Sequence, residues 1–151
     1  MLGCVTGWEW YTRLDRYIIL GALPTPAHIK QLHSKERVHT IINLCAEFPG
    51  YKSLYDDLKL KQTILPTSDF TIPHLDNIER GVEVILNSIQ DDSEACIYLH
   101  CKAGRGRSAI VALCYLLRMY LLTPSEAQAI LLRCRPQVYK LIMLFDTNQK
   151  K

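Results

Sequence analysis

The stretch YLHCKAGRGRSAI, positions 98–110, gathers most of the chemistry that this chain can offer. A cysteine, Cys101, ends a strand-like apolar run and stands at the root of a loop made of Lys102, Ala103, Gly104, Arg105, Gly106 and Arg107. Strand, glycine-bearing loop and helix together suit an anion. Glycines let the backbone bend so that successive N–H groups point inward, and the following helix adds its positive end. Arg107 brings a planar, two-pronged donor for phosphate oxygens. The nucleotide loop GxxxxGK[ST] is absent, and a cysteine guards the loop instead. An ordinary thiol titrates at roughly 8.5, and near cations and a helix N-terminus it falls to about 3.5–7.5. A field that holds a phosphate dianion also holds a thiolate, so Cys101 is expected to be a nucleophile aimed at phosphorus. Ser108 is placed to donate a hydrogen bond to the sulfur, and His100 to brace the loop. The plainer reading is a buried cysteine beside a basic surface loop.

These residues need elements to position them. Four runs read as strands: 16–21, 38–45, 62–67 and 95–101, the second and fourth apolar enough to be buried on both faces. Between them lie helical signals. Thr25 before Pro26 starts one helix, 53–61 could form a short one, and 74–90 carries Leu75, Ile78, Val82, Ile85, Leu86 and Ile89 on one face. Residues 108–121 read as a helix buried on most sides, and Thr123, Pro124 and Glu126 form a capping box that opens a last helix reaching about Cys134. Strands alternating with helices predict an α/β fold in one domain over 1–151, with a largely parallel central sheet flanked by helices. Ligands of such sheets lie beyond the carboxyl ends of the strands, which is where Cys101 falls.

The pattern His-Cys-x5-Arg-Ser, His100 to Ser108, resembles the signature of the protein-tyrosine-phosphatase superfamily, and of its dual-specificity branch in particular. The resemblance implies the same fold and a phosphocysteine mechanism without metal or cofactor. Expelling an alkoxide also needs a proton donor. The family places an aspartate on a loop some thirty residues before the cysteine, which here indicates Asp69 in LPTSDFTIP; Asp56, Asp57 and Asp76 compete, and a helix-capping role is the plain alternative for Asp69. The stretches 10–24, 41–51, 75–82 and 98–117 are similar to the mitochondrial phosphatidylglycerophosphate phosphatases of this superfamily, over about 10–138 in all. NLCAE and HCKAG also resemble tensin-related phosphoinositide phosphatases. Both relatives act on phospholipids, so the implied substrate is a phospholipid phosphomonoester such as phosphatidylglycerophosphate, met through contact with a membrane surface. Lys102 and Arg105 suit a second phosphate or an acidic headgroup, or else serve solubility. Glu47 either shapes the substrate pocket or caps a helix. Cys45 resembles a resolving cysteine for an oxidised Cys101, with a core cysteine as the alternative.

Composition narrows the field. With 151 residues, 48% apolar, 22% charged and a net charge of +3 spread along the chain, nothing marks a nucleic-acid binder. Six cysteines, at 4, 45, 96, 101, 114 and 134, form no CxxC pair or zinc-finger spacing, and Cys45, Cys96 and Cys114 sit in apolar runs. This favours a reducing compartment. The N-terminal stretch lacks the pattern of a secretory signal, and Glu9 and Asp15 argue against a transit peptide. The expectation is an intracellular protein, mitochondrial or cytoplasmic. After Arg135 and Pro136 the sequence departs from the family, ending in LIMLFDTNQKK. Two other functions stay open at this point: a phosphatase for phosphotyrosine and phosphoserine/threonine in proteins, and a phosphate-binding protein without turnover.

Overall fold

The structure, a computed structural model, describes residues 9–141; Cys4 and the tail from 142 onward lie outside the described residues. Five strands form one sheet: β1 (Tyr11–Arg13), β2 (Ile18–Gly21), β3 (Thr40–Cys45), β4 (Lys61–Thr67) and β5 (Ile97–His100), in spatial order β1-β2-β5-β3-β4. Every neighbouring pair is parallel except β1 with β2. The expected parallel sheet is present, with one short antiparallel edge strand that the sequence pattern did not announce.

Side chains alternate across this sheet, as strand geometry requires. Ile19, Ile41 and Tyr98 pack on one face against α1 (Pro26–Lys35) and α2 (Lys52–Asp57). Leu20, Ile42, Ile97 and Leu99 pack on the other against α3 (Leu75–Asp91), α4 (Arg107–Tyr120) and α5 (Pro124–Cys134). The central strand β5 is buried throughout, matching its unbroken apolar run. Both proline-led helices start as expected. Thr25 and Thr123 cap α1 and α5, each within a reciprocal box, His28 closing the first and Glu126 the second.

Three boundaries differ from the sequence reading. Residues 58–61 are not helical: α2 ends at Asp57, and Lys61 already pairs in β4. Helix α4 ends at Tyr120, because Leu121 turns into the left-handed region (φ 53°) and frees Thr123 to cap α5. Leu75, expected on the buried face of α3, is exposed; as the first helical residue it lies beyond the edge of the core that Ile78, Val82 and Ile85 enter.

The consequence for function is spatial. Residue 101 leaves the middle of the sheet, 46–51 leave β3 beside it, and 68–74 leave β4 beyond that. Three loops therefore share one rim.

Candidate active site

The loop 101–107 owes its shape to what its carbonyls do. The His100 ring donates from Nδ1 to the Cys101 carbonyl at 3.1 Å. Leu23 N donates to the Lys102 carbonyl at 3.0 Å. Arg135 donates to the carbonyls of Ala103 (3.0 Å) and Gly104 (2.8 Å). Tyr139 N reaches the Arg105 carbonyl at 2.9 Å, and Ile110 N the Gly106 carbonyl at 3.0 Å inside α4. Every carbonyl from 101 to 106 is thus held by a partner, four of the six bonds coming from outside the stretch 98–110. With the acceptors drawn aside, the amides are left for the concave side. Gly104 is the position that demands glycine. It has φ +66°, and an added Cβ would lie 2.6 Å from the carbonyl carbon of Gly21 and 2.9 Å from Arg135 Nη2. Gly106, expected to serve the same bend, has φ −126° and caps α4 without any side-chain bond to the helix amides.

Cys101 sits at the bottom, with Sγ 3.1 Å from Ser108 Oγ. Burial pushes its thiol up, but hydrogen bonds from the Ser108 hydroxyl and from the amides of Ser108, Gly104 and Arg105 outweigh burial, and the thiol titrates below its ordinary value. His100 is fully buried, and burial lowers it to about 4, so the ring is neutral near pH 7. Since a carbonyl only accepts, Nδ1 carries the ring proton.

Arg107 is 4% exposed and held on two sides. Its Nη1 donates to the Thr67 carbonyl at 2.7 Å, and the guanidinium forks onto Glu47 at 2.7 and 2.9 Å. That fork draws the Glu47 carboxyl down to about 2. Of the two sequence readings of Glu47, the helix cap has no support here. Glu47 is absent from the lining of the cavity, and it caps no helix, since α2 opens at Tyr51 without a side-chain cap. It acts on the pocket through the arginine. The loop that presents Glu47 is itself tied down by buried Asn43, which accepts from Cys45 N (2.8 Å) and donates to the Phe48 carbonyl (2.7 Å).

Asp69 faces Cys101 across a cavity of about 580 Å³ lined by both. One carboxylate oxygen lies 3.3 Å from Arg107 Nη2 and the other 4.0 Å from Lys102 Nζ. It caps no helix, because α3 begins after His74. Asp56 and Asp57 are exposed on α2 and Asp76 on α3; none of the three lines the cavity. Lys102 stands at the mouth. Arg105 lies over the Tyr139 ring at 4.5 Å and donates to the Gln137 carbonyl, which turns it along the wall. Cys45 ends β3 next to β5, and burial pushes its thiol up to about 12.

Arg135, Asn43 and Thr67 were missing from the residues that sequence reasoning selected. Arg135 is 1% exposed and also donates to Thr12 Oγ1 and the Glu9 carbonyl, both at 2.9 Å. An arginine directly before Pro136, where α5 ends, was the available signal. Among the described residues no group of three or more His, Cys, Asp or Glu side chains could hold a metal.

Comparison with known proteins agrees with this geometry. Residues 18–145 match the family model "Dual specificity phosphatase, catalytic domain". The human protein phosphatidylglycerophosphatase and protein-tyrosine phosphatase 1 is 34% identical over 137 residues, which cover 87% of this chain and 67% of that relative. Phosphatidylglycerophosphate phosphatase PTPMT1 of Arabidopsis thaliana is 32% identical over 133 residues, 86% of this chain and 39% of that relative. A crystal structure of PTPMT1 in complex with PI(5)P superposes with a TM-score of 0.80 at 27% identity, over 95% of this chain and 100% of that one.

Proposed function

The chain belongs to the dual specificity phosphatase family, and on that premise we propose that it hydrolyses the phosphomonoester of an anionic phospholipid, of the phosphatidylglycerophosphate type, through a phosphocysteine. The observation that carries the chemistry is the outward tethering of all six carbonyls from 101 to 106 around a buried, acidified thiol.

In the first step the Cys101 thiolate attacks phosphorus while the bond from phosphorus to the leaving oxygen breaks. Loop amides and the Arg107 fork hold the equatorial oxygens as charge shifts onto them. Asp69, across the cavity, gives its proton to the departing oxygen. In the second step Asp69, now a carboxylate, takes a proton from water as the water oxygen attacks phosphorus. The sulfur–phosphorus bond breaks, and the Ser108 hydroxyl stabilises the emerging thiolate. Phosphate leaves and Asp69 is again protonated. Glu47, His100 and Arg135 position groups that touch the substrate.

Substrate class rests on different support. Two relatives over 30% identical are named for phosphatidylglycerophosphate, and PTPMT1 was crystallised with a phosphoinositide. The cavity exceeds what a phosphate needs, and Lys102 and Lys140 add positive charge along it. A mitochondrial or other reducing intracellular compartment suits the five free cysteines among the described residues.

The test compares purified protein on phosphatidylglycerophosphate, phosphoinositides and phosphopeptides, with Cys101→Ser as control. Lipid should be favoured in kcat/KM, and the control should lose at least about 10⁴-fold on every substrate. Preference for phosphopeptides would transfer the reading to protein substrates, as the double name of the human relative allows. Absent turnover of even an aryl phosphate would leave an anion-binding protein.

A further inference from the structure

We infer that the loop bearing Asp69, together with the first turn of α3, is an interfacial anchor that seats the mouth of the active site on an anionic bilayer. This rests on the lipid reading above and names how the lipid is reached.

The observation is an apolar fringe where none is needed for folding. Phe70 is 94% exposed, Leu75 67%, Ile72 58% and Tyr139 49%. These are four of the seven large apolar side chains exposed among the described residues, and three of the four line the mouth of the same cavity. Scattered exposed apolar groups are ordinary; a cluster around one opening marks an interaction surface. Phe70 is moreover held out. Its φ of 61° is unusual for an aromatic residue, and the loop fixes it there: Phe70 N donates to Asp69 Oδ1 at 3.0 Å, and Thr71 donates to the Ser68 carbonyl through both N (3.2 Å) and Oγ1 (2.6 Å).

Charge complementarity selects the occupant. Lys102 and Lys140 are exposed on the same mouth. Aromatic and aliphatic side chains rimmed by lysines fit the boundary between acyl chains and anionic headgroups. A protein partner would be met equally by the apolar groups, but the lysines and the anion cradle beneath them favour a surface dense in phosphodiesters. Among the described residues no helix is long and apolar enough to cross a membrane, so contact by this fringe would lie at the surface. Because Phe70 adjoins Asp69, seating the anchor also sets the acid over the cradle.

The experiment uses the full chain carrying Cys101→Ser and co-sedimentation with vesicles of phosphatidylcholine alone or mixed with phosphatidylglycerol. Binding should require the anionic lipid, and Phe70→Ser or Leu75→Ser should weaken it about tenfold. Phe70→Trp, which keeps an apolar ring, should bind and show a blue-shifted emission on the mixed vesicles. With Cys101 intact, the ratio of turnover on vesicle-held to monomeric short-chain phosphatidylglycerophosphate should fall about tenfold in Leu75→Ser. Vesicle binding that ignores the serine substitutions, with an unshifted emission from the Phe70→Trp variant, would overturn the anchor. In that event, turnover of monomeric lipid by the parent protein would leave the substrate reading standing. Anionic vesicle binding without hydrolysis of either lipid form would instead overturn the substrate reading and keep the anchor. Loss of phosphopeptide turnover in Leu75→Ser, without vesicle binding, would assign the fringe to protein substrates and overturn the inference.

Discussion

The loop 101–107 and the loop 68–73 both face the cavity, yet they are built in opposite ways. The first has its carbonyls held by partners, its cysteine and arginine nearly sealed from solvent, and its bend fixed by a glycine wedged against Gly21. The second is mostly exposed, tied by local turn bonds and by two ion pairs that its own aspartate makes, at 3.3 and 4.0 Å. Holding an anion requires donors fixed before the ligand arrives, since reorganising them would cost binding energy. Delivering a proton requires an acid that can follow the leaving group through two steps. The contrast teaches that the deeply tethered groups stand where charge accumulates and the exposed, locally tied ones where a proton must travel.

Substitutions can break this contrast, and the largest effect belongs to the rigid side. Arg107→Lys keeps the charge but loses the fork, and turnover should drop about 10³-fold with weaker protection by inorganic phosphate. A loss under tenfold would mean that the loop amides alone hold the oxygens. On the exposed side, Asp69→Asn should cost about 10²–10³-fold on alkyl phosphates and far less on an aryl phosphate whose leaving group needs no proton. Phosphate affinity should survive that change. Equal losses on both substrates would place Asp69 among the binding groups and dissolve the contrast.

Arg135→Met probes the rigid side from below. It unties the carbonyls of Ala103 and Gly104 without touching the cavity. Stability should fall by about 3 kcal/mol in denaturant melts, from lost bonds to a charged group, and phosphate affinity should fall with it. A fall in stability alone would make Arg135 a structural strut.

The smallest effect is a shift in titration. Alkylation of Cys101 should follow a pKa below that of an ordinary thiol, so labelling persists at pH values where free cysteine is protected by its proton. Cys45, pushed up to about 12, and Cys114, pushed up to about 11, should stay unlabelled near neutrality. Raising the pH should bring Cys101 to full reactivity first. Mass mapping of labelled peptides across a pH series checks the order.

How much of this was legible in the sequence depends on the range of the interaction. The nucleophile, its arginine and its serine lie within eight consecutive residues, and strand β5 before them is an unbroken apolar run, so local pattern sufficed. Asp69 followed from the family resemblance, which places an aspartate some thirty residues before the cysteine, and its position after a strand agreed with that. Strand β1 has three residues, too few for a period to show. The partners of Arg135 lie 31 to 126 positions away, beyond any periodic signal. Glu47 could be placed in the right neighbourhood but without its contact, because sequence shows which loop a carboxylate occupies and not which arginine it meets. Leu75 failed instructively: its spacing fits the core face of α3, but the core begins only one turn later, at Ile78.

Arg107 and Arg135 differ in one further respect. Arg107 is matched by Glu47, whereas all four hydrogen bonds of Arg135 end on neutral oxygens. Burial accordingly lowers its affinity for a proton. Its positive charge lies beneath the floor of the pocket without a hydrogen-bonded carboxylate, and an incoming dianion adds to the counter-charge that Cys101 and Glu9 supply. Occupancy and folding are coupled by that imbalance, so the resting enzyme is most robust when product or substrate is abundant and most fragile when its pocket is vacant.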